Sequence, residues 1–260
     1  MRAGGTNCDV ETKEAFDNFE EVSAEVVRVN QFNDADDILD YDCLVIPGGF
    51  SFGDHIRAGT VLANELKTDL GENLREFVEN GGYILGICNG FQVLVELGLL
   101  PGVEGISEVP KAALAINESA KYECRWVNLK KENGDNCVFT KNIDQDRFYI
   151  PVAHKEGRFI LGDGEEGGLF EEMVKNDQIV LRYCDENGVE ADGEYPANPN
   201  GSLKDIAGIC DPSGRIFGLM PHPERAYYKV QLPDWTNRDS DEKYSDGRLI
   251  FESLIEEIRA

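Results

Sequence analysis

The chain has 260 residues, 41% hydrophobic and 29% charged, a balance that suits a soluble globular protein with room for a large core. Fifty acidic residues against 25 basic ones leave a formal net charge of −25. No basic stripe interrupts that field, which argues against nucleic acid or anionic lipid as a partner.

No apolar run reaches the roughly 18 residues that a membrane span needs. Met1-Arg2-Ala3-Gly4-Gly5 lacks the apolar centre of a signal peptide, so a cytoplasmic location is expected. The seven cysteines are widely and irregularly spaced without a C-x-x-C pair, and the reading is no metal site and no disulfide framework. Cys43, Cys184 and Cys210 abut apolar runs and are core candidates.

Phe16, Phe19 and Val22 form a helical stripe, and 24–29 reads as a strand. Leu44-Val45-Ile46 is a buried strand that ends at Pro47-Gly48-Gly49. Leu70, Leu74, Phe77 and Val78 follow the i, i+4, i+7, i+8 rule of a helix stopped by Asn80-Gly81-Gly82. Tyr83-Ile84-Leu85 then enters the segment around Cys88, with a second apolar run at Val93-Leu94-Val95. This alternation predicts an α/β fold, a doubly wound and mostly parallel sheet with helices on both faces and ligands at the carboxyl ends of the strands.

From about residue 111 the candidates are shorter strands: 122–129, 147–153, 158–161, 179–183, 206–210 and 216–220. They predict an antiparallel extension of the same sheet. The polar tract 232–247 reads as a solvated loop, and Phe251, Leu254, Ile255 and Ile258 mark a last amphipathic helix. Without a repeat or a linker, residues 1–260 read as one domain.

Gly86-Ile87-Cys88-Asn89-Gly90 places glycines two residues either side of a cysteine, between a strand and a helix. Those glycines let strand and helix close around a sharply bent residue, the requirement of a nucleophile elbow. The turn is expected to expose the Cys88 sulfur at a helix N-terminus, which favours the thiolate. A buried core cysteine is the plainer alternative, so the motif needs a base and an oxyanion hole beside it.

Met220-Pro221-His222-Pro223-Glu224-Arg225 supplies the base. Prolines on both sides of His222 favour extended backbone, in which His222 and Glu224 point the same way and form a base with its orienting carboxylate. A rigid proline loop with a solvated His and Glu is the alternative. His154 is the rival base but has no carboxylate at i+2. Pro47-Gly48-Gly49-Phe50 offers backbone donors, and the Asn89 N–H after the nucleophile is the natural second donor for an oxyanion.

These blocks resemble class I (triad) glutamine amidotransferases. The resemblance is closer still to the glutaminase subunits of phosphoribosylformylglycinamidine synthases. Gly5-Thr6-Asn7-Cys8-Asp9, Pro47-Gly48-Gly49-Phe50-Ser51-Phe52-Gly53-Asp54, the Cys88 elbow and His154-Lys155-Glu156-Gly157-Arg158-Phe159 stand in the family's order. Tyr195-Pro196-Ala197-Asn198-Pro199-Asn200-Gly201-Ser202 and the His222 loop complete a match over residues 4 to about 226.

The resemblance implies a flavodoxin-like amidotransferase fold and glutamine hydrolysis through a Cys88 thioester. In that scheme His222 is the base, Glu224 the orienter, and Gly49 and Asn89 the oxyanion donors. Gln92, Gly48 and Phe50 are the implied contacts to glutamine. The implied partners are a synthetase subunit that uses ATP and magnesium, and a small bridging subunit. No cofactor is implied on this chain, which has no phosphate loop of its own.

Relatives also carry an apolar first strand before the Gly-Thr-Asn-Cys turn, where this chain has only Met1-Arg2-Ala3. Asp54 and Arg57 read as a bracing or partner-facing pair, and His55 as shaping the same loop. The competing readings are an amidotransferase of another synthetase, a stand-alone cysteine hydrolase, and an idle structural subunit.

Overall fold

The computed structural model describes residues 1–32, 35–54, 57–132, 136–164, 168–238 and 241–260. His55 falls outside the described residues.

Acidic Asp9 and Glu11 in its first turn favour α1 (Asp9–Asp17), which buries Ala15 and Phe16. Phe19 is also buried, but in the turn beyond the helix. Strand β1 (Cys43–Ile46) leads through a glycine-rich turn towards α2 (Thr60–Glu79). Leu62, Leu66, Leu70, Leu74 and Phe77 make one buried stripe on α2, and Gly81, at φ 93°, ends the helix. Strand β2 (Tyr83–Ile87) enters α3 (Asn89–Glu96) through Cys88 alone.

The second half contains β3 (Ala112–Ile116), β4 (Glu123–Lys131), β5 (Arg147–His154), β6 (Glu156–Leu161), α4 (Gly168–Lys175), β7 (Ile179–Cys184), β8 (Ile206–Cys210), β9 (Ile216–Leu219) and α5 (Gly247–Arg259). Strands 122–129, 147–153, 158–161 and 179–183 are all present with their ends moved by one or two residues, whereas β3 and α4 were not foreseen.

One seven-stranded sheet runs β1-β2-β9-β8-β7-β4-β5, and β3 pairs with β6 in a second, two-stranded sheet. Pairing is parallel across β1, β2 and β9 and antiparallel beyond β9. The α/β architecture with an antiparallel extension therefore stands, its parallel part concentrated where the helices pack. Helices α2 and α3 pack together, α3 lying on β1, β2 and β9, while α1 and α5 form a second helical layer. Phe16 of α1 meets Phe251 of α5 edge to face, 5.1 Å between centroids.

The segment 24–29 is a correction. It carries no strand; Arg2 and Arg28 share a single parallel bridge, and Val29–Gln31 is a short 3-10 turn. Its backbone lacks a neighbouring strand, because a cavity of about 560 Å³ separates it from β1, bordered by Val26, Val27, Leu44 and Val45. The Met1 ammonium reaches across to the Val45 carbonyl at 2.6 Å. Most described residues of the tract 232–247 are exposed, as a solvated loop requires, but its two ends are tied down. Leu232 is buried, and the Tyr244 ring stacks on Tyr228 beneath the Arg248 guanidinium.

Close packing around the elbow makes a sharp test. A Cβ on Gly90 would lie 1.8 Å from the Ile46 carbonyl oxygen, whereas one on Gly71, inside α2, would meet nothing within 4 Å. Gly90→Ala is expected to lower unfolding free energy by about 3 kcal/mol or more. Gly71→Ala should raise it by roughly 0.5–1 kcal/mol. Urea denaturation of the two variants checks both signs.

Candidate active site

Cys88 adopts φ 51° and ψ −102°, a backbone that an L-residue reaches only under constraint. Its N–H donates to Leu219 O at 2.8 Å and its carbonyl accepts the Gln92 N–H at 3.1 Å. Sheet and helix thus hold the two sides of one strained residue. The glycines permit this: a Cβ on Gly86 would meet the Gly90 carbonyl at 2.7 Å.

The expected exposure of the sulfur is not found, since Cys88 is only 4% exposed. The turn buries the thiol, with the Ala153 carbonyl 3.8 Å from Sγ. Cys124 is the exposed cysteine and Cys43 is half-buried. Burial pushes the Cys43 thiol up to about 12 and Cys184 to about 11.

His222 and Glu224 come together, but not through the expected extended backbone: Pro223–Ala226 is a 3-10 turn that His222 precedes. Nδ1–H donates to Glu224 Oε1 at 2.6 Å, with both side chains almost wholly buried. The loop is fixed against the sheet by His222 N–H to Pro151 O, 2.8 Å. Neither His222 Nε2 nor Glu224 Oε2 has a hydrogen bond. Burial opposes charge on this ring, but the Glu224 carboxylate and then the Cys88 and Cys8 sulfurs hold its pKa well above 6.5.

His154 behaves in the opposite way. It is buried, its Nδ1 is paired with Asn117 Oδ1 at 3.1 Å, and desolvation followed by His222 drives its pKa to about 3.

Gly48 lies directly against the His222 ring; a Cβ there would sit 2.6 Å from Cε1. Gly49 has φ 150° and bridges to Thr6. That bridge is closed by Phe50 N–H to Gly5 O and Asn7 N–H to Gly48 O, so the Gly49 N–H takes no part in it. Phe50 is 54% exposed. Asn89 opens α3, and its buried side chain accepts the Ser51 N–H at 3.0 Å. Gln92 is also buried, and both ends of its amide are bound within the protein, to Asn89 Nδ2 at 2.9 Å and Glu156 O at 2.5 Å. Arg57 reaches Glu96; the Asp54 side chain falls outside what the structure describes.

Cys8 is the site residue whose role was not read from sequence. Its sulfur lies 3.9 Å from His222 Nδ1 and accepts from Arg225 Nη2 at 2.9 Å. The signal present was the Gly-Thr-Asn-Cys block, but nothing in it points 214 residues ahead. Cys8, His222 and Glu224 place potential ligand atoms within 4.8 Å of one another. The short Nδ1–Oε1 bond and the guanidinium on Cys8 Sγ favour proton handling over cation binding there.

A family model described as the CobB/CobQ-like glutamine amidotransferase domain matches residues 1–256. The chain is similar to phosphoribosylformylglycinamidine synthase subunit PurQ of Archaeoglobus fulgidus, 46% identical over 98% of this chain and 94% of that one. The subunit of the same name from Methanococcus maripaludis is 45% identical, with 98% and 95% covered. Among solved structures, that of PurLQS from Thermotoga maritima covers 99% of this chain and 96% of the matched chain, at 32% identity and a TM-score of 0.71.

The two buried histidines give opposite pH signatures. His222, raised in the folded state, contributes stability that is complete below about pH 6.5 and is lost as pH rises through its folded pKa. His154, lowered to about 3, is harmless above about pH 6.5 and costs roughly 1.4 kcal/mol per unit as pH falls towards 3. His154→Gln is therefore expected to lose less stability than the parent between pH 7 and pH 4.5. Parallel urea titrations at the two pH values measure the difference.

Proposed function

Because the chain belongs to the CobB/CobQ-like glutamine amidotransferases, and within them to the PurQ family of phosphoribosylformylglycinamidine synthase subunits, we propose that it hydrolyses glutamine and passes the ammonia to a synthetase subunit. The synthetase uses ATP and magnesium to convert formylglycinamide ribonucleotide to the amidine in purine biosynthesis, with a small third subunit bridging the two chains. The chain works as one domain in the cytoplasm; no helix among the described residues is long and apolar enough to cross a membrane.

The observation that carries this reading is the constrained Cys88 at the start of α3, set beside a buried His222–Glu224 pair. Cys88 Sγ attacks the side-chain carboxamide of glutamine, forming the C–S bond. His222 Nε2 takes the thiol proton. Charge then gathers on the carboxamide oxygen, where the Gly49 and Asn89 N–H groups stabilise it. As the tetrahedral adduct collapses, the C–N bond breaks and the imidazolium returns its proton to the departing ammonia. Water, deprotonated by the same imidazole, cleaves the thioester to glutamate.

Glu224 keeps the proton of His222 on Nδ1, so that Nε2 faces the thiol. Phe50 and Gly48 line the way to the sulfur. His154 is a poor base by comparison, since its pKa near 3 gives little drive for accepting a proton.

Cys88→Ala in the assembled complex is expected to abolish glutamine-dependent amidine formation while leaving ammonium-dependent formation intact. His222→Ala should lower glutaminase kcat at least about a thousandfold, and Glu224→Gln by a smaller factor. A glutamine-like diazo-ketone should label Cys88, whereas iodoacetamide should also label exposed Cys124. An idle subunit would show none of these losses. Peptide mapping of the diazo-ketone adduct to Cys8 or Cys124 would remove the nucleophile assignment.

A further inference from the structure

A second sulfur lies on the Nδ1 side of the His222 imidazole. Cys8 is fully buried, and its Sγ stands 3.9 Å from a nitrogen already committed to Glu224 Oε1 at 2.6 Å. The thiol has stronger partners elsewhere. It donates to Asn7 Oδ1 at 3.0 Å and accepts from Arg225 Nη2 at 2.9 Å. Burial pushes its pKa upward, so at neutral pH it does both as an uncharged S–H.

The sulfur is held in place by its backbone. Cys8 N–H donates to Gly48 O at 3.2 Å, and its carbonyl accepts the Thr12 N–H at 3.1 Å as α1 begins. A Cβ on Gly48 would sit 3.1 Å from Sγ. Arg225, by contrast, projects from the turn after His222 with its side chain 37% exposed. Among the described residues the Cys8 sulfur is the one hydrogen-bond acceptor of its guanidinium. Held there, Arg225 Nε lies 3.8 Å from Glu224 Oε1. One carboxylate oxygen is thus shared between the imidazole and the guanidinium.

The charges around His222 give that contact a consequence. Glu224 and Arg225 face the ring from its own turn, Cys8 from the start of α1 and Cys88 from the start of α3. His154 faces it from the end of β5, and Tyr122 from the approach to β4. His154, with a pKa of about 3, is neutral, and the thiols and the phenol are neutral or negative at any pH. Arg225 is the one fixed positive charge in this group. A base set against a buried carboxylate tends to stay protonated, and a nearby cation opposes that.

We propose that Cys8 and Arg225 are positioning residues: the sulfur pins the guanidinium against Glu224, where its charge loosens the hold of the carboxylate on the imidazolium. The proposal rests on the reading of His222 as the base and Glu224 as its orienter. Cys8 acts through Arg225, and Arg225 through Glu224, so neither touches glutamine.

The test uses Cys8→Ala, Cys8→Ser and Arg225→Met, the last removing the charge while keeping most of the length. One readout is histidine NMR on the isotope-labelled full chain. The His222 signal is told from those of His55 and His154 by its loss in His222→Ala. The other readout is the pH profile of glutaminase kcat/KM in the assembled complex.

Cys8→Ala and Arg225→Met are each expected to raise the His222 midpoint by about 0.5–1 pH unit, a modest shift because the guanidinium is partly exposed. The acid limb of the profile should move up equally, a loss of roughly 3- to 10-fold below the limb that is recovered above it. KM at high pH should stay within about twofold. Joined in one chain, the two substitutions should shift the midpoint no further than either alone, since the sulfur acts through the guanidinium. Cys8→Ser, whose hydroxyl still accepts, should bring the midpoint part of the way back. Arg225→Met decides the matter if Cys8→Ala does not fold.

An unmoved midpoint with kcat lowered at every pH would reduce both residues to packing and overturn the proposal. A raised KM without a shift would also overturn it, by making Arg225 a glutamine contact. So would a shift in Cys8→Ala but not in Arg225→Met, because the sulfur would then act directly. Retained glutaminase in His222→Ala would instead remove the underlying reading of the base, while the NMR midpoint still reports on the charge.

Discussion

The conformation of Cys88 governs how the rest of the site is built. Positive φ at a residue with a Cβ costs on the order of 1–3 kcal/mol, and it persists only where the surroundings over-determine it. Here the over-determination is visible on both sides of the residue. The Leu219 carbonyl holds the Cys88 N–H as though β2 continued, while the Gln92 N–H holds its carbonyl as the first bond of α3. A chain that is strand on one side and helix on the other has to turn at once, and the sulfur lies on the outside of the bend. Gly86 and Gly90 are the condition for this, because the helix start presses on the end of β1 closely enough to leave no space for a Cβ.

That bend lies at the carboxyl end of β2, and its parallel neighbours β1 and β9 end at the same level. Their continuations, Pro47-Gly48-Gly49 and Met220-Pro221-His222, therefore arrive around the sulfur as a matter of topology. The antiparallel strands serve as scaffold: Pro151 O holds the His222 N–H and Ala207 O holds the Met220 N–H. Electrostatics then divides the two buried imidazoles. One has a carboxylate at 2.6 Å and keeps a high affinity for its proton; the other has a neutral amide and loses it. The same low dielectric thus produces a base in one place and a neutral ring in the other, and the difference is Glu224 against Asn117.

Much of this was legible in the sequence because it is local. Paired glycines around Cys88, alternating prolines around His222, and carboxylate at i+2 are short-range instructions; the glycines frame the bend as expected, and the carboxylate reaches the imidazole although from a 3-10 turn in place of an extended segment. What escaped was set by distance along the chain or by an environment that no spacing encodes. Cys8 meets the His222 loop from 214 residues away. Cys88 is buried with its sulfur against the Ala153 carbonyl of β5, so a motif that promises an exposed sulfur is satisfied by an enclosed one. Residues 24–29 alternate like a strand but meet a cavity where a pairing edge is needed, and a β pattern without a partner does not become a strand. Strand β3, Ala-Ala-Leu-Ala-Ile, is the converse: weak β formers that pair because β6 lies alongside.

The Asn198-Pro199-Asn200-Gly201-Ser202 turn shows why so polar a block is buried at all. A loop sunk into a protein has to satisfy its own backbone, and Asn198 Oδ1 does this by accepting the N–H groups of Asn200, Gly201 and Ser202. That leaves the Asn200 amide and the Ser202 hydroxyl free to point outward, and both converge on the Gly157 carbonyl. Ser202 Oγ also accepts the Phe159 N–H. The segment from His154 to Phe159 is therefore held from behind by side chains, while in front its Glu156 carbonyl meets Gln92. Substituting apolar residues in the turn would strand its N–H groups in a dry interior, at about 1–3 kcal/mol for each group left unpaired. The block is polar because it has to be buried, and it is buried because the wall of the site has to be rigid.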